Sequence, residues 1–313
     1  MASTSSALPP PTKGWDTRES LADMPVDRAI KLINWFPESD KITVRRGSTE
    51  HVTGMTGAVE TLVTYTPTTG SGQLFAAANN AIYNVSATGA VGSAVSTGHS
   101  NNRWQFTNMG TSGGQFVRLF NGADTPLLYN GSSWATTAIT GSGLTAANLI
   151  WGNLHQRRLW VGEEDSLSAY YLGVNSVSGA ATEFPLAGIA TKGGFIMAMG
   201  TWTRDSGSGA DDVAVFLTSE GEAIVYSGTD PAAAATWQLV GVFAIGKPIG
   251  RRCIVKAGSD IILMTQDGFV PLSGILSMDR SQSRLVALSD QIAQAVNTAV
   301  RSYGDIFGWQ PIL

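Results

Sequence analysis

The feature that most constrains this 313-residue chain is a short strand-and-turn unit that recurs five times. Residues 81–85, 126–131, 166–171, 222–228 and 267–272 each carry a brief apolar or aromatic run beside polar or Gly-bearing turn residues. Aligned on Ile82, Leu128, Ser168, Ile224 and Phe269, they recur with a loose period of roughly 40–50 residues. A second apolar strand precedes each one across a turn, at residues 74–77, 116–120, 158–161, 213–217 and 261–264. Apolar strands stopped by polar or Gly-bearing turns and then resumed form a hairpin series. A further strand follows some units with a tryptophan near it, Trp134 and Trp237. Several short strands per repeat of this length predict an all-β chain, a β-propeller or propeller-like array. The competing architecture is a β-sandwich with insertions.

Composition agrees with short strands and tight turns: 36 Gly and only 14% charged residues. One helix stands apart. Ile292, Val296, Val300 and Tyr303 form an apolar stripe, Ser289 is placed to cap it, and Gly304 sits where a left-handed terminator belongs. Residues 306–313 are apolar and are expected to pair into the last repeat unless the chain continues. Residues 1–13 are small, polar and Pro-rich and read as a flexible arm. The organisation that follows is an arm (1–13), an N-terminal hairpin and docking segment (14–60), a propeller-like body (61–283), and a closing helix and strand (284–313).

Residues 31–47, KLINWFPESDKITVRRG, alternate apolar and polar side chains on both sides of Pro37. They predict an antiparallel hairpin, with Trp35 and Phe36 too large to remain on a free ribbon, so that they dock on a larger body.

Chemistry is sparse. His51, His99 and His155 stand singly, without metal-ligand spacing. Residues 110–114, GTSGG, match G-x-S-x-G, but a nucleophile elbow needs a helix after its serine and a strand is expected here. The acidic groups Glu163-Glu164-Asp165 and Asp211-Asp212 fall at turns, where solvation explains them better than paired catalysis or Ca²⁺ binding. Residues 227–230 approach the Asp-box turn of sialidase propellers with the wrong spacing, and no phosphate loop is present. The expectation is a protein without catalytic, cofactor or metal sites.

Cys253, the single cysteine, excludes an internal disulfide and reads as a small core residue of a chain kept reduced or exported without secretion. Net charge is −4, so no global basic field holds nucleic acid or an anionic membrane. No apolar run reaches the roughly 18 residues of a membrane helix, and the N-terminus lacks a secretory leader's pattern. Arginine pairs do occur, at Arg45-Arg46, Arg157-Arg158 and Arg251-Arg252. They read as interface or salt-bridge partners, or as residues lining a channel where phosphates pass.

Several motifs in order resemble one family. Leu32-Ile33-Asn34-Trp35-Phe36-Pro37-Glu38 with Val44-Arg45-Arg46-Gly47 opens the series. Residues 122–131, Gln156-Arg157-Arg158-Leu159-Trp160, residues 166–172, Ala181-Thr182-Glu183-Phe184, Ser219-Glu220-Gly221-Glu222 and residues 246–251 follow. Together they resemble the tail nozzle (tail tubular, or packaged-DNA stabilisation) proteins of short-tailed bacteriophages and prophages, over about residues 28–310.

The resemblance implies a non-enzymatic virion protein, made in the host cytoplasm and assembled as a ring, typically a hexamer, below the portal and its head–tail adaptor. The ring would extend and close the DNA channel, retain the packaged genome until ejection, and carry tail fibres or spikes. Genomic DNA would pass without sequence-specific binding, and no membrane insertion is implied. Members of that family run on past the point where this chain stops, so the distal gate elements are expected to be missing or replaced here, and closure of the channel by this chain alone is not implied. Trp35, Phe36, Arg45 and Arg46 become candidate interface residues; Arg157, Arg158, Arg251 and Arg252 become candidate lumen or interface residues. A receptor- or glycan-binding propeller is the alternative, with Trp134 and Trp237 at loop tips stacking on sugars. A propeller hydrolase would need a carboxylate such as Asp211 or Asp212.

Overall fold

The computed structural model of the chain describes residues 8–205, 210–276 and 286–313, with only the backbone described at 204, 205, 210 and 211. The hairpin forms where its alternation places it. Strand β1 (Trp35–Pro37) pairs antiparallel with β2 (Ile42–Val44), Trp35 opposite Val44 and Pro37 opposite Ile42. Pro37 ends its strand, consistent with an imino acid that cannot extend a ladder.

The repeats then build five small sheets. After β3 (Val52–Thr53), blade 1 holds β4 (Thr61–Tyr65), β5 (Gln73–Ala78), β6 (Ala81–Asn84) and, after β7 (Gly89–Ala90), β8 (Ser96–Thr97). Blade 2 is β9 (Gln105–Thr111), β10 (Gly114–Phe120), β11 (Leu127–Tyr129) and β12 (Trp134–Thr136). After β13 (Ile139–Thr140), blade 3 holds β14 (Leu149–His155), β15 (Arg158–Glu163), β16 (Ser168–Tyr171) and, after β17 (Gly179–Ala180), β18 (Thr182–Pro185). Blade 4 is β19 (Ile196–Asp205), β20 (Ala210–Thr218), β21 (Glu222–Gly228) and β22 (Trp237–Ala244). Blade 5 has, among the described residues, three strands, β23 (Ile254–Ala257), β24 (Asp260–Thr265) and β25 (Gly268–Pro271).

Within every blade neighbouring strands pair antiparallel in chain order, the meander of a β-propeller. The five aligned positions all fall on third strands and the preceding runs on second strands, so the sequence repeat is the blade. Separate radial sheets exclude the sandwich. Two tight hairpins place Asn79-Asn80 and Gln156-Arg157 at positive φ, the twist-matched turn geometry, which makes Arg157 a turn residue first.

Four apolar seams join consecutive blades. Blades 1 and 2 share Val63, Phe75, Ile82, Trp104, Leu119 and Tyr129. Blades 2 and 3 share Met109, Phe120, Leu149, Leu159, Val161 and Tyr170. Blades 3 and 4 meet in an aromatic stack, Trp237 lying 5.6 Å from Trp160 and 5.7 Å from Tyr226. Blades 4 and 5 share Val213, Val215, Leu217, Ile261, Leu263 and Val270, with Cys253 fully buried among them. That burial pushes the Cys253 thiol up to about 12, the chemistry of an inert core cysteine.

Among the described residues no apolar cluster spans blades 5 and 1; that seam is polar. The Arg252 guanidinium, just before β23, donates through Nη2 to Thr61 Oγ1 at the start of β4 (2.7 Å) and to the Trp104 carbonyl just before β9 (2.6 Å).

A short helix α1 (Leu272–Ile275) ends blade 5, and α2 (Ala293–Tyr303) follows a 3-10 turn at Asp290–Ile292. Val300 packs onto the blade 4–5 core, but Tyr303 at the end of the stripe is exposed. The expected caps differ. Ser289 Oγ accepts from the Phe269 amide of β25 (3.0 Å), tying the incoming chain to the edge of blade 5. Gly304 continues the helix at φ −58°. Ser289 is thus drawn off by a contact with the propeller that a helix in isolation lacks, and Gly304 keeps a helical bond to the Val300 carbonyl.

Candidate functional site

The inner strands converge on a central cavity of about 370 Å³, to which all five blades contribute. Leu62 comes from β4, Gln105 and Phe106 from β9, Trp151–Leu154 from β14, Ala198–Thr201 from β19, and Ile254 and Lys256 from β23. Arg251, Arg252 and Gln310 also line it. Glycine permits this close approach. A Cβ at Gly152 would lie 2.3 Å from the Phe120 ring, and one at Gly200 would lie 3.2 Å from Ile254.

A second cavity of about 390 Å³ adjoins it, lined by Arg103, Asn121, Glu164, Arg251, Arg252 and the segment Gly304–Trp309. Phe307 sits between two guanidiniums, Arg103 at 4.9 Å and Arg252 at 5.0 Å from its ring centre. Arg252 Nη1 donates to Gln310 Oε1 (3.2 Å), so the C-terminal segment lies across one mouth of the central cavity.

The candidate basic pairs therefore separate. Arg251 ion-pairs with Glu164 (3.2 Å) and lies over the Phe195 ring (5.1 Å), and burial lowers its pKa and that of Arg252. Arg158 ion-pairs with Asp230 (3.1 Å) across the blade 3–4 seam, and Arg157 is exposed on its hairpin turn. Arg251 and Arg252 reach the cavity; Arg157 and Arg158 do not line it.

The candidate interface residues lie together on the hairpin. Trp35 is 45% and Phe36 55% exposed, with Val44 and Ile33 exposed beside them. Among the described residues no larger surface of this chain covers these aromatics, so the larger body they are expected to dock on is not this subunit's described propeller. Arg45 and Arg46 are exposed, Arg45 Nε donating to Asn34 Oδ1 (3.1 Å).

Other expectations need correction. Trp237 is buried in the blade 3–4 core, and Trp134 packs tilted against Tyr129 (4.8 Å) and edge-on to Phe75 (5.2 Å). Neither is a loop-tip platform, because each opens a fourth strand whose inner face packs on the neighbouring blade. Glu163 is not a solvated turn residue. It is buried and accepts from the Thr145 amide (2.7 Å) and the Tyr170 hydroxyl (3.3 Å). Glu222 likewise accepts from the Thr191 and Lys192 amides, and Asp124 from the Ser100 amide (2.8 Å). These carboxylates anchor the chain entering blades 2, 3 and 4, a role signalled by an acid near the second-to-third-strand turn of each blade. Glu164 and Asp165 are exposed, as expected of turns.

Asp212 accepts from Thr203 Oγ1 (2.7 Å); the Asp211 side chain lies outside the described residues. In GTSGG the serine is followed by β10, so the elbow context is missing. The histidines lie on separate partners: His51 with the Val85 carbonyl, His99 with Ser96, His155 with Thr201. Among the described residues no cluster of three metal-ligating side chains occurs, and no helix is long and apolar enough to cross a membrane.

One residue was not singled out by its sequence context. Arg118 is fully buried in blade 2, donates to the Thr137 carbonyl (2.8 Å), and is pulled down to about 10 by burial.

No protein-family description and no curated protein matches this chain. Solved structures do. Two chains titled BBS1N in complex with ARL6DN, soaked with mercury and with lead, align at 13% and 10% identity with TM-scores of 0.46 and 0.43. The alignments cover 68% and 74% of this chain, and 64% and 66% of those chains, so this chain spans less than two thirds of either. A likeness that distant carries nothing about partners. The propeller architecture rests on the strand pairing itself.

Proposed function

We propose that this chain is a non-catalytic β-propeller that works by binding and assembly through its N-terminal hairpin. The observation that carries the reading is the hairpin's exposed apolar side chains: Trp35 with its cross-strand partner Val44 on one face, Phe36 on the other, and Ile33 beside them stand 45–59% exposed next to Arg45 and Arg46. Large apolar side chains exposed on both faces of a ribbon, with arginine beside them, have the composition of an interface, and hydration of those side chains favours covering them. The neighbour we assign to it is a second copy in a ring. The motif series resembling tail nozzle proteins supports that finer reading, with a head–tail adaptor, fibres or spikes, and passing genomic DNA as the further partners. The cavity within one propeller admits a small molecule and not a duplex, so in this reading the DNA channel is the space enclosed between subunits. Arg158, Arg251 and Arg252 are engaged within the chain, which leaves Arg45, Arg46 and Arg157 as the exposed basic surface of the three pairs.

A receptor- or glycan-binding propeller is the second reading, and the architecture supports it equally. With Trp134 and Trp237 packed inside, exposed Trp35 and Trp15 are the residues that could stack on a sugar.

Electron microscopy of the purified chain, alone and with a candidate adaptor ring, separates the two. The expected result is a ring whose formation is abolished by Trp35→Ala/Phe36→Ala and impaired by Arg45→Ala/Arg46→Ala. A monomer that ignores the adaptor and binds on a glycan array overturns the ring reading in favour of the second.

A further inference from the structure

The central cavity carries a charge that assembly does not use. Arg251, Arg252 and Lys256 line it, and among its described lining residues no Asp or Glu occurs, although the whole chain is acidic at −4. Arg252 donates entirely to neutral oxygens: Thr61 Oγ1, Gln310 Oε1 and the carbonyls of Trp104 and Glu60. Lys256 Nζ reaches Thr203 Oγ1 at 3.4 Å. Arg251 has its carboxylate partner, Glu164, outside the lining.

The unmet hydrogen-bonding capacity has the same sign. Three lining residues hold buried donors without a partner, Arg251 Nη1, Asn153 Nδ2 and Trp151 Nε1. A buried donor left unpaired is costly, and a cation gains most from an opposite charge where water is partly excluded. Water can satisfy the neutral donors, but it does not neutralise the charge.

We propose that this cavity is a binding site for a small oxyanion, a carboxylate- or phosphate-bearing molecule that fits within about 370 Å³. Arg251 and Lys256 supply charge, and Asn153 supplies an orienting donor. Leu62, Phe106 and Met199 cover the ligand's carbon frame, while Gln310 of the C-terminal segment closes one mouth. The proposal is independent of ring assembly.

The test is isothermal titration of the full chain with inorganic phosphate and with citrate at low ionic strength, repeated on Lys256→Ala and Asn153→Ala. Arg252 is left intact because it holds the polar seam. Lys256 is exposed at the cavity rim, so its truncation is expected to leave folding unchanged. The expected result is saturable binding, weakened about tenfold in Lys256→Ala and measurably in Asn153→Ala, and displaced by chloride. Phosphate binding with citrate inert identifies a phosphate ligand, and the reverse a carboxylate. Absence of binding by both anions overturns the site. Equal binding by wild type and both variants also overturns it, because adsorption then lies elsewhere.

Discussion

Replacing Arg252 by alanine is expected to loosen the propeller at one seam and leave the other four intact. The side chain makes two short bonds, 2.7 Å to Thr61 Oγ1 and 2.6 Å to the Trp104 carbonyl, plus longer ones to Glu60 O and Gln310. Thr61 Oγ1 in turn accepts from the Trp104 amide (3.1 Å) and donates to the Asn102 carbonyl (2.6 Å), so one guanidinium ties blade 5 to the entries of blades 1 and 2. A hydrogen bond to a charged donor contributes roughly 1.5–3 kcal/mol net, and the two geometries are coupled, so the loss should be about 3 kcal/mol. With an unfolding entropy near 2.1 cal/mol/K per residue, a chain of 313 residues should melt about 4–5 °C lower. Arg252→Lys keeps the charge and loses the fork, and should recover less than half of that shift. Calorimetry reads the midpoint, and amide hydrogen exchange reads the place: β4 and β23 should lose protection while β14 and β15 keep theirs. A midpoint within about 1 °C of wild type, or protection lost evenly across all blades, would refute a ring closed by this residue.

Other consequences can be checked on the same protein. Gly162→Ala places a methyl 2.2 Å from the buried Trp151 indole and should destabilise by roughly 1–3 kcal/mol in urea melts, without a change in m-value. Trp160→Ala, at the aromatic seam, should lose about 3–5 kcal/mol, more than Arg252→Ala. Burial pushes His155 down to about 4, so the native ring stays neutral where the unfolded one, near 6.5, takes up a proton. Stability should therefore fall as pH drops from about 6.5 to about 4, by up to about 3 kcal/mol, and level off below; His155→Phe should flatten that slope. Trp35→Ala/Phe36→Ala should leave the monomer's melting point unchanged while abolishing self-association in sedimentation, because both side chains are exposed in the single chain.

The local pattern by itself determined the repeat, the five paired second and third strands, the burial of Cys253 and the strand after GTSGG. Those features follow from period-2 alternation and turn chemistry, which act between neighbours in the chain. The inner strands β9, β14 and β19 were less legible. Their exposed faces line a cavity, and Gly110, Gly152 and Gly200 interrupt the apolar alternation where strands crowd together. Trp134 and Trp237 lay beside Gly- and Ser-rich turns and read as tips, yet the preceding blade covers them. Glu163 had the local look of a solvated turn, and Thr145, far from it in sequence, turns it into an anchor. Tertiary structure alone decided that Thr61 and Arg252, 191 residues apart, would close the ring, and that Asn153, Arg251 and Lys256 would share one cavity. It also left Trp35 and Phe36 uncovered. Pairing across such separations depends on how five blades are arranged around an axis, and that arrangement is set by the sum of the apolar seams, which no single stretch of residues encodes.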